Sequence, residues 1–211
     1  MATTAEKTIL IGGGGHARVL ADIILTARSG DMIGYTDLAP RELMGIPYLG
    51  NDCAIDNFHN QSVVLINGIG STGRPLNRCD VYRRHVEKGY DFKSVFQSNA
   101  VISSRAVIHM GVQVIGAAVI NTGSIIHENC LINTSAIIDH DCTIGPHTHI
   151  GPGTVISGNV QIGEGCHIGT GTVIIQGVKI GDNVLIGAGS LIISDIPSGV
   201  KAYGSPVKII Y

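Results

Sequence analysis

The run Asp139-His140-Asp141 sets one of nine histidines between two carboxylates in a chain of 211 residues. Imidazole takes and gives protons near neutrality, and a neighbouring carboxylate raises its basicity, so the run suits general base work. Spacing alone leaves a solvent-facing structural histidine equally open. A second candidate is Gly12-Gly13-Gly14-Gly15-His16, which lies between an apolar run and an amphipathic one. A glycine loop opening a helix offers free backbone N–H groups and a positive dipole end to a phosphate, and Asp37 further on can accept from a ribose hydroxyl. The spacing departs from a full GxGxxG, so a purely structural turn stays open. Asn67-Gly68-Ile69-Gly70-Ser71 is a second glycine-rich loop. The five cysteines, Cys53, Cys79, Cys130, Cys142 and Cys166, are odd in number and form no CxxC pair, which argues against a disulfide framework and a structural zinc.

The elements that must hold these residues fall into two groups. Thr8–Ile11 reads as a buried strand, Ala17–Arg28 as a helix and Met32–Tyr35 as a second strand ending at Asp37. Ser62–Ile66 makes a third strand, followed by a helix from about Pro75 to Lys88 and a strand near Phe92–Phe96. This is a small α/β domain over residues 1–97, with both glycine loops on the carboxyl edge of its sheet. From Ile102 to Ile192 every sixth residue is Ile or Val, sixteen times without insertion, and a small side chain precedes each by two. A period of six fits neither a helix nor plain alternation, but it suits a short strand followed by a sharp turn. Three such units close a triangle and eighteen residues make one coil, with residues eighteen apart stacked at about 4.8 Å. The aliphatic residue fills the prism, the small one makes room at the corner, and the glycines at 145, 151, 163, 169, 181 and 187 are expected to take the strained turn. Cys130, Cys142 and Cys166 occupy the small inward position and read as buried hydrophobes rather than nucleophiles. About five coils span 98–195, and 196–211 is a tail.

On this hexapeptide register the region resembles the left-handed β-helix acyltransferases, and the tail Gly204-Ser205-Pro206-Val207-Lys208 is similar to their Gly-x-Pro-Ala-Lys ending. The GGGGH domain followed by Ile132-Asn133-Thr134-Ser135-Ala136-Ile137-Ile138-Asp139-His140-Asp141-Cys142 resembles the nucleotide-sugar N-acetyltransferases of bacillosamine and perosamine biosynthesis, with sialic acid O-acetyltransferases in the same group. The resemblance implies a Rossmann-like nucleotide-sugar domain, acetyl-CoA as co-substrate and no metal. It makes His140 the base and Asp141 the residue that raises its basicity, where the family usually has Glu, with Asp139 in reserve. Gly13, Gly14, Gly15, His16, Asp37, Gly68, Gly70, Ser71 and Asn133 become candidates for the nucleotide sugar. His149, Gly158, Thr170 and Ala188 become candidates for acetyl-CoA, Gly158 through its backbone N–H.

Coil arithmetic agrees in part, since Gly158 lies eighteen residues after His140 and stacks beneath it. His149 lies nine residues from His140, half a coil around. If both line one site, they come from neighbouring prisms, most simply in a C3 trimer. The plainer reading of His149 is a surface imidazole stacked with His167, as His109 stacks with His127.

The expected activity is direct N-acetylation of a nucleotide-linked amino sugar, with O-acetylation of a sialic acid or related sugar as the alternative. A metal-dependent hydratase would need His140, His149 and His167 to converge, but their phases in the hexapeptide differ. A scaffold solenoid would not require Asp139-His140-Asp141. The net charge of −2 offers no footprint for nucleic acid or an anionic membrane. The first residues show no signal-peptide pattern and no apolar run spans a bilayer, so the expected location is the cytoplasm.

Overall fold

A computed structural model describes residues 7–27, 30–73 and 75–210. Residues 1–6, Arg28 and Tyr211, which fall in the first residues of the expected α/β domain, at the end of its first helix and at the end of the tail, lie outside the described residues. The chain divides into two compact units, residues up to Gly70 with Asp80–Val95, and Ser71–Cys79 with Phe96 onward.

In the first unit, β1 (Lys7–Ile11), α1 (Gly15–Ala27), β2 (Asp31–Thr36), β3 (Tyr48–Gly50), β4 (Val64–Asn67) and α2 (Leu76–Glu87) follow in order, with the first turn of α2 grouped with the second unit. The sheet order is β3-β2-β1-β4 and every pairing is parallel. The Ile9-Leu10-Ile11 run of β1 is buried throughout, as a strand covered on both faces must be. α1 buries Ala17, Leu20, Ala21 and Ile24 at helical spacing. It begins at Gly15 rather than Ala17, because Gly14 C=O already accepts from Arg18 N–H at 3.0 Å. β3 and the 3-10 helix Asp52–Asn57 were not expected, being too short to write a period. Gly12, at φ +93°, turns the chain out of β1, a conformation that favours glycine. Because the strands are parallel, the loops after β1, β2 and β4 share one edge, and β1 has β2 on one side and β4 on the other. That is the switch point at which such sheets bind ligands.

In the second unit the hexapeptides form a parallel β-helix of two-residue strands in three faces. The first face runs from Val107–Ile108 to Lys179–Ile180, the second includes Gln113–Val114 to Leu185–Ile186, and the third runs from Val101–Ile102 to Leu191–Ile192. Partners are eighteen residues apart, as in Ile137↔Val155 and His149↔His167. The register predicted from the repeat holds: the aliphatic and small positions, such as Ile138, Ala136, Cys142 and Ile144, are fully buried in one core.

The role expected of the glycines is corrected. Gly145, Gly151, Gly163, Gly169, Gly181 and Gly187 are not in the left-handed region; from Ile108 to Ile186 that conformation falls three residues after the aliphatic, at Gly111, Ala117, Gly123, Asn129, Ser135, Asp141, His147 and Gly153 onward. At these six positions glycine is needed for another reason. A Cβ on Gly145 would lie 2.5 Å from Gly163 C in the next rung. The backbones stack too closely there for any side chain.

The outward positions distinguish the faces. On the third face they are Val101, Val119, Ile137, Val155, Val173 and Leu191, all aliphatic and at least partly exposed. On the second face Gln113, Leu131 and His149 are buried, and the Ser71–Cys79 segment lies against that side of the β-helix, with Ser71 on His149 and Arg78 on Asn129.

Candidate active site

His140 sits in the turn between the third and first faces. Its backbone N–H donates to Asp139 Oδ1 at 2.8 Å, and that oxygen also accepts from Asn121 Nδ2 at 3.0 Å. Asp139 therefore shapes the turn, and these two bonds hold its carboxyl below the usual carboxylate range. The ring is oriented by the other neighbour, with Nδ1 lying 2.8 Å from Asp141 Oδ2. An Nδ1–H donated to a carboxylate leaves the lone pair on Nε2, the form a general base needs. The bond to Asp141 raises the His140 pKa despite the opposing effect of desolvation. Asp141 holds φ +58°, a conformation that Asp tolerates better than most residues. Gly158 lies beneath the ring, where a Cβ would stand 2.5 Å from Nε2. A passage for the ring exists only because residue 158 has no side chain.

A second group lies one corner away. His149 is only 5% exposed, so the surface imidazole considered above is not what the chain builds. Its Nδ1 is 2.8 Å from Ser71 Oγ and its Nε2 3.1 Å from Asn133 Nδ2. Asn133 Oδ1 is engaged by Thr134 N–H, so its amide N–H donates to His149, whose Nε2 accepts and whose Nδ1–H donates to Ser71. Ser71 and Asn133, both expected at the nucleotide sugar, are thus joined through His149. With Thr170, Ala188, His167 and Gly151 they line a cleft of about 440 Å³ on the second face and its corner with the third. His140 and Gly158 are not among its walls. A larger groove of about 970 Å³ along the first face, walled by Gln161, Glu164, Lys179 and Asp195, holds none of the residues expected to bind substrate or act as base.

The third group belongs to the first unit. Gly13 N–H donates to Asp37 Oδ2 at 3.0 Å, and Arg41 Nε meets the same oxygen at 2.8 Å. The Asp37 carboxylate, expected to meet a ribose, is thus also the brace of the glycine loop. A Cβ on Gly13 would fall 2.9 Å from that oxygen, whereas one on Gly14 or Gly15 would meet nothing within 4 Å. Gly68 N–H donates to Ile11 C=O at 2.8 Å, and a Cβ on Gly70 would touch His16 Cβ at 3.1 Å. The two glycine loops and His16 are therefore neighbours.

The three cysteines of the β-helix are buried and free. Burial pushes the Cys130 thiol to about 12 and the Cys166 thiol to about 11, and raises that of Cys142. Two groups among the described residues could hold a metal ion, Cys79–His147–Glu164 and His109–His127–Glu128, and neither includes His140, His149 or His167. The rings of His109 and His127 stack 4.9 Å apart.

Comparison with known proteins places both units. The family described as bacterial transferase hexapeptide (six repeats) matches residues 123–158 and 159–194, and the PglD N-terminal domain family matches residues 7–82. The acetyltransferase domain of PglB from Neisseria gonorrhoeae FA1090 is 30% identical, covering 97% of this chain and 100% of that one, with a TM-score of 0.92. The same domain solved with acetyl coenzyme A gives 29% identity, 98% and 100% coverage and a TM-score of 0.91. PerB from Caulobacter crescentus, solved with CoA and GDP-perosamine, is 32% identical over 97% of each chain, with a TM-score of 0.90. No curated protein sequence matches. Among the described residues no helix is long and apolar enough to cross a membrane.

Proposed function

The chain belongs to the hexapeptide-repeat nucleotide-sugar acetyltransferases that carry a PglD-type N-terminal domain, and from that premise we propose that it N-acetylates the amino group of a nucleotide-linked amino deoxysugar with His140 as general base. The observation that carries this reading is the His140 ring itself, with Nδ1 on Asp141 and Nε2 open above Gly158. The amine attacks the thioester carbonyl, Nε2 takes the proton the nitrogen sheds, the tetrahedral oxyanion is met by the Gly158 backbone N–H, and the thiolate of CoA leaves. Transfer is direct, because no thiol near His140 ionises near neutral pH. The nucleotide sugar is assigned to the glycine loops and His16 of the first unit, and the pantetheine arm to the cleft past Thr170 and Ala188. The reaction is assigned to the cytoplasm.

The working unit of this proposal is a homotrimer. The His140–Gly158 corner and the Asn133–Ala188 corner flank the same face, the third, whose outward row is aliphatic. A contiguous exposed apolar row of this kind marks an interaction surface. Three prisms turned with their third faces toward a threefold axis set the His140 corner of one copy against the cleft corner of the next. Each of the three sites then takes its base from one chain and its acyl-donor cleft from another.

The reading is tested by steady-state kinetics with acetyl-CoA and a panel of UDP-, TDP-, GDP- and CMP-linked amino sugars, with a hydroxyl acceptor as control. Intersecting double-reciprocal lines and an amide product are expected. His140→Ala should lower kcat by roughly 10²–10⁴-fold with acetyl-CoA affinity little changed. Wild-type kcat in that variant across the neutral range would overturn the base assignment, and an ester product would move the chemistry to O-acetylation.

A further inference from the structure

His167 lines the acyl-donor cleft one rung beyond His149, and its Nδ1 is buried without a hydrogen-bond partner. The two rings meet edge to face with centroids 4.8 Å apart and planes at 82°. A buried N–H left without an acceptor is rarer than an under-used acceptor, so the proton belongs on the other nitrogen. Nε2 is the nitrogen that is not sealed in, and no group among the described residues engages it. Burial also lowers the pKa of His167, which keeps the ring neutral where an amine substrate is nucleophilic. The neighbouring His149 ring has Ser71 on Nδ1 and Asn133 on Nε2. A neutral ring with a single outward donor suits an uncharged acceptor; a phosphate would instead favour the protonated, doubly donating imidazolium.

We propose that His167 is a binding residue for the acyl donor, its Nε2–H donating to an amide or thioester carbonyl of the pantetheine arm in the cleft walled by Asn133, His149, Thr170 and Ala188. The proposal rests on the reading of that cleft as the acetyl-CoA site. It gives a use to a polar ring that packing alone would have made apolar.

The test compares wild type, His167→Phe and His167→Gln with acetyl-CoA and acetyl-pantetheine as donors and 3′,5′-ADP as a competing ligand. Phe fills similar space without a donor, and Gln restores one. The Phe variant should raise the KM for acetyl-CoA roughly five- to twentyfold, the worth of one hydrogen bond, and lower kcat/KM for acetyl-pantetheine by a similar factor. The inhibition constant of 3′,5′-ADP and the KM for the nucleotide sugar should stay put, and Gln should recover most of the loss. A merely structural histidine would lower the melting temperature of the Phe variant without this split between donor and acceptor. Unchanged kinetics with acetyl-pantetheine, or an equal loss of 3′,5′-ADP binding, would overturn the proposal. Ala188→Trp separates this outcome from failure of the cleft reading. If Trp blocks acetyl-CoA binding while Phe at 167 is silent, only the role of His167 falls; if Trp is silent too, the cleft is not the donor site.

Discussion

Nε2 of His140 is available because Nδ1 is committed to Asp141, and this division between the two ring nitrogens fixes what nearby substitutions do. The Asp141 bond is the largest cause of the raised pKa of His140. A base must be unprotonated to act, so activity falls as pH drops through that pKa. Asp141→Asn removes the charge, lowers the pKa and should shift the acidic limb of the kcat profile to lower pH, with a smaller loss of kcat at its plateau than His140→Ala gives. An acidic limb that stays in place would show that Asp141 orients the ring without tuning it. Gly158→Ala separates position from basicity. The added methyl would stand 2.5 Å from Nε2, and a ring with 44% of its side chain exposed can swing aside. Folding should therefore survive with little change in melting temperature, while kcat falls on the order of 10²-fold because a displaced base misses its proton. A Gly158→Ala enzyme with normal kcat would mean that the productive ring position lies elsewhere.

At the scale of elements, the loop from β1 into α1 makes a separable prediction. Gly14 caps the helix through its C=O to Arg18 N–H, and a Cβ there meets nothing within 4 Å. Thr is about as good a cap as Gly, so Gly14→Thr should leave the melting temperature nearly unchanged. It should weaken the nucleotide sugar about tenfold or more by holding phosphate away from the backbone N–H groups, and calorimetry on both substrates checks that acetyl-CoA binding is spared. Equal affinity for the nucleotide sugar would move its site away from this loop. The βαβ opening and the loop positions were legible because buried strands and a glycine run leave their pattern in consecutive residues. The hexapeptide register is legible for the same reason, with Ile138 and Cys142 inside as the repeat predicts. The turn was misread because residue type stood in for backbone conformation: Gly145 is glycine for lack of room, while the left-handed position three residues after the aliphatic is held variously by Asp141, His147, Gly153 and Asn159. β3 has too few residues to show alternation. The pairing of Ser71 with His149 spans 78 residues and leaves no local trace, so Ser71 was grouped with the glycine loop that precedes it.

For the molecule as a whole, the arrangement of faces turns the proposed trimer into a question about where each site's parts come from. A single prism holds both half-sites, but at different corners, and the row from Val101 to Leu191 lies between them. Charge on that row should separate the copies: Ile137→Glu with Val155→Glu should convert a trimer mass into that of the 22.1 kDa chain by light scattering, with activity lost alongside. Loss of activity on dissociation is weaker evidence than its recovery by mixing. His140→Ala lacks the base but keeps an intact cleft, and Ala188→Trp keeps the base but blocks the cleft, so each trimer should be nearly inactive alone. If every site joins the His140 corner of one chain to the cleft of its neighbour, random trimers from an equal mixture pair an intact corner with an intact cleft in about a quarter of their sites. Co-expression or refolding of the mixture should then restore about a quarter of wild-type activity, with acetyl-CoA saturating as it does in the wild type. If base and cleft of the same chain served one site, no arrangement of the two variants would contain a complete site, and the mixture would stay as inactive as its components.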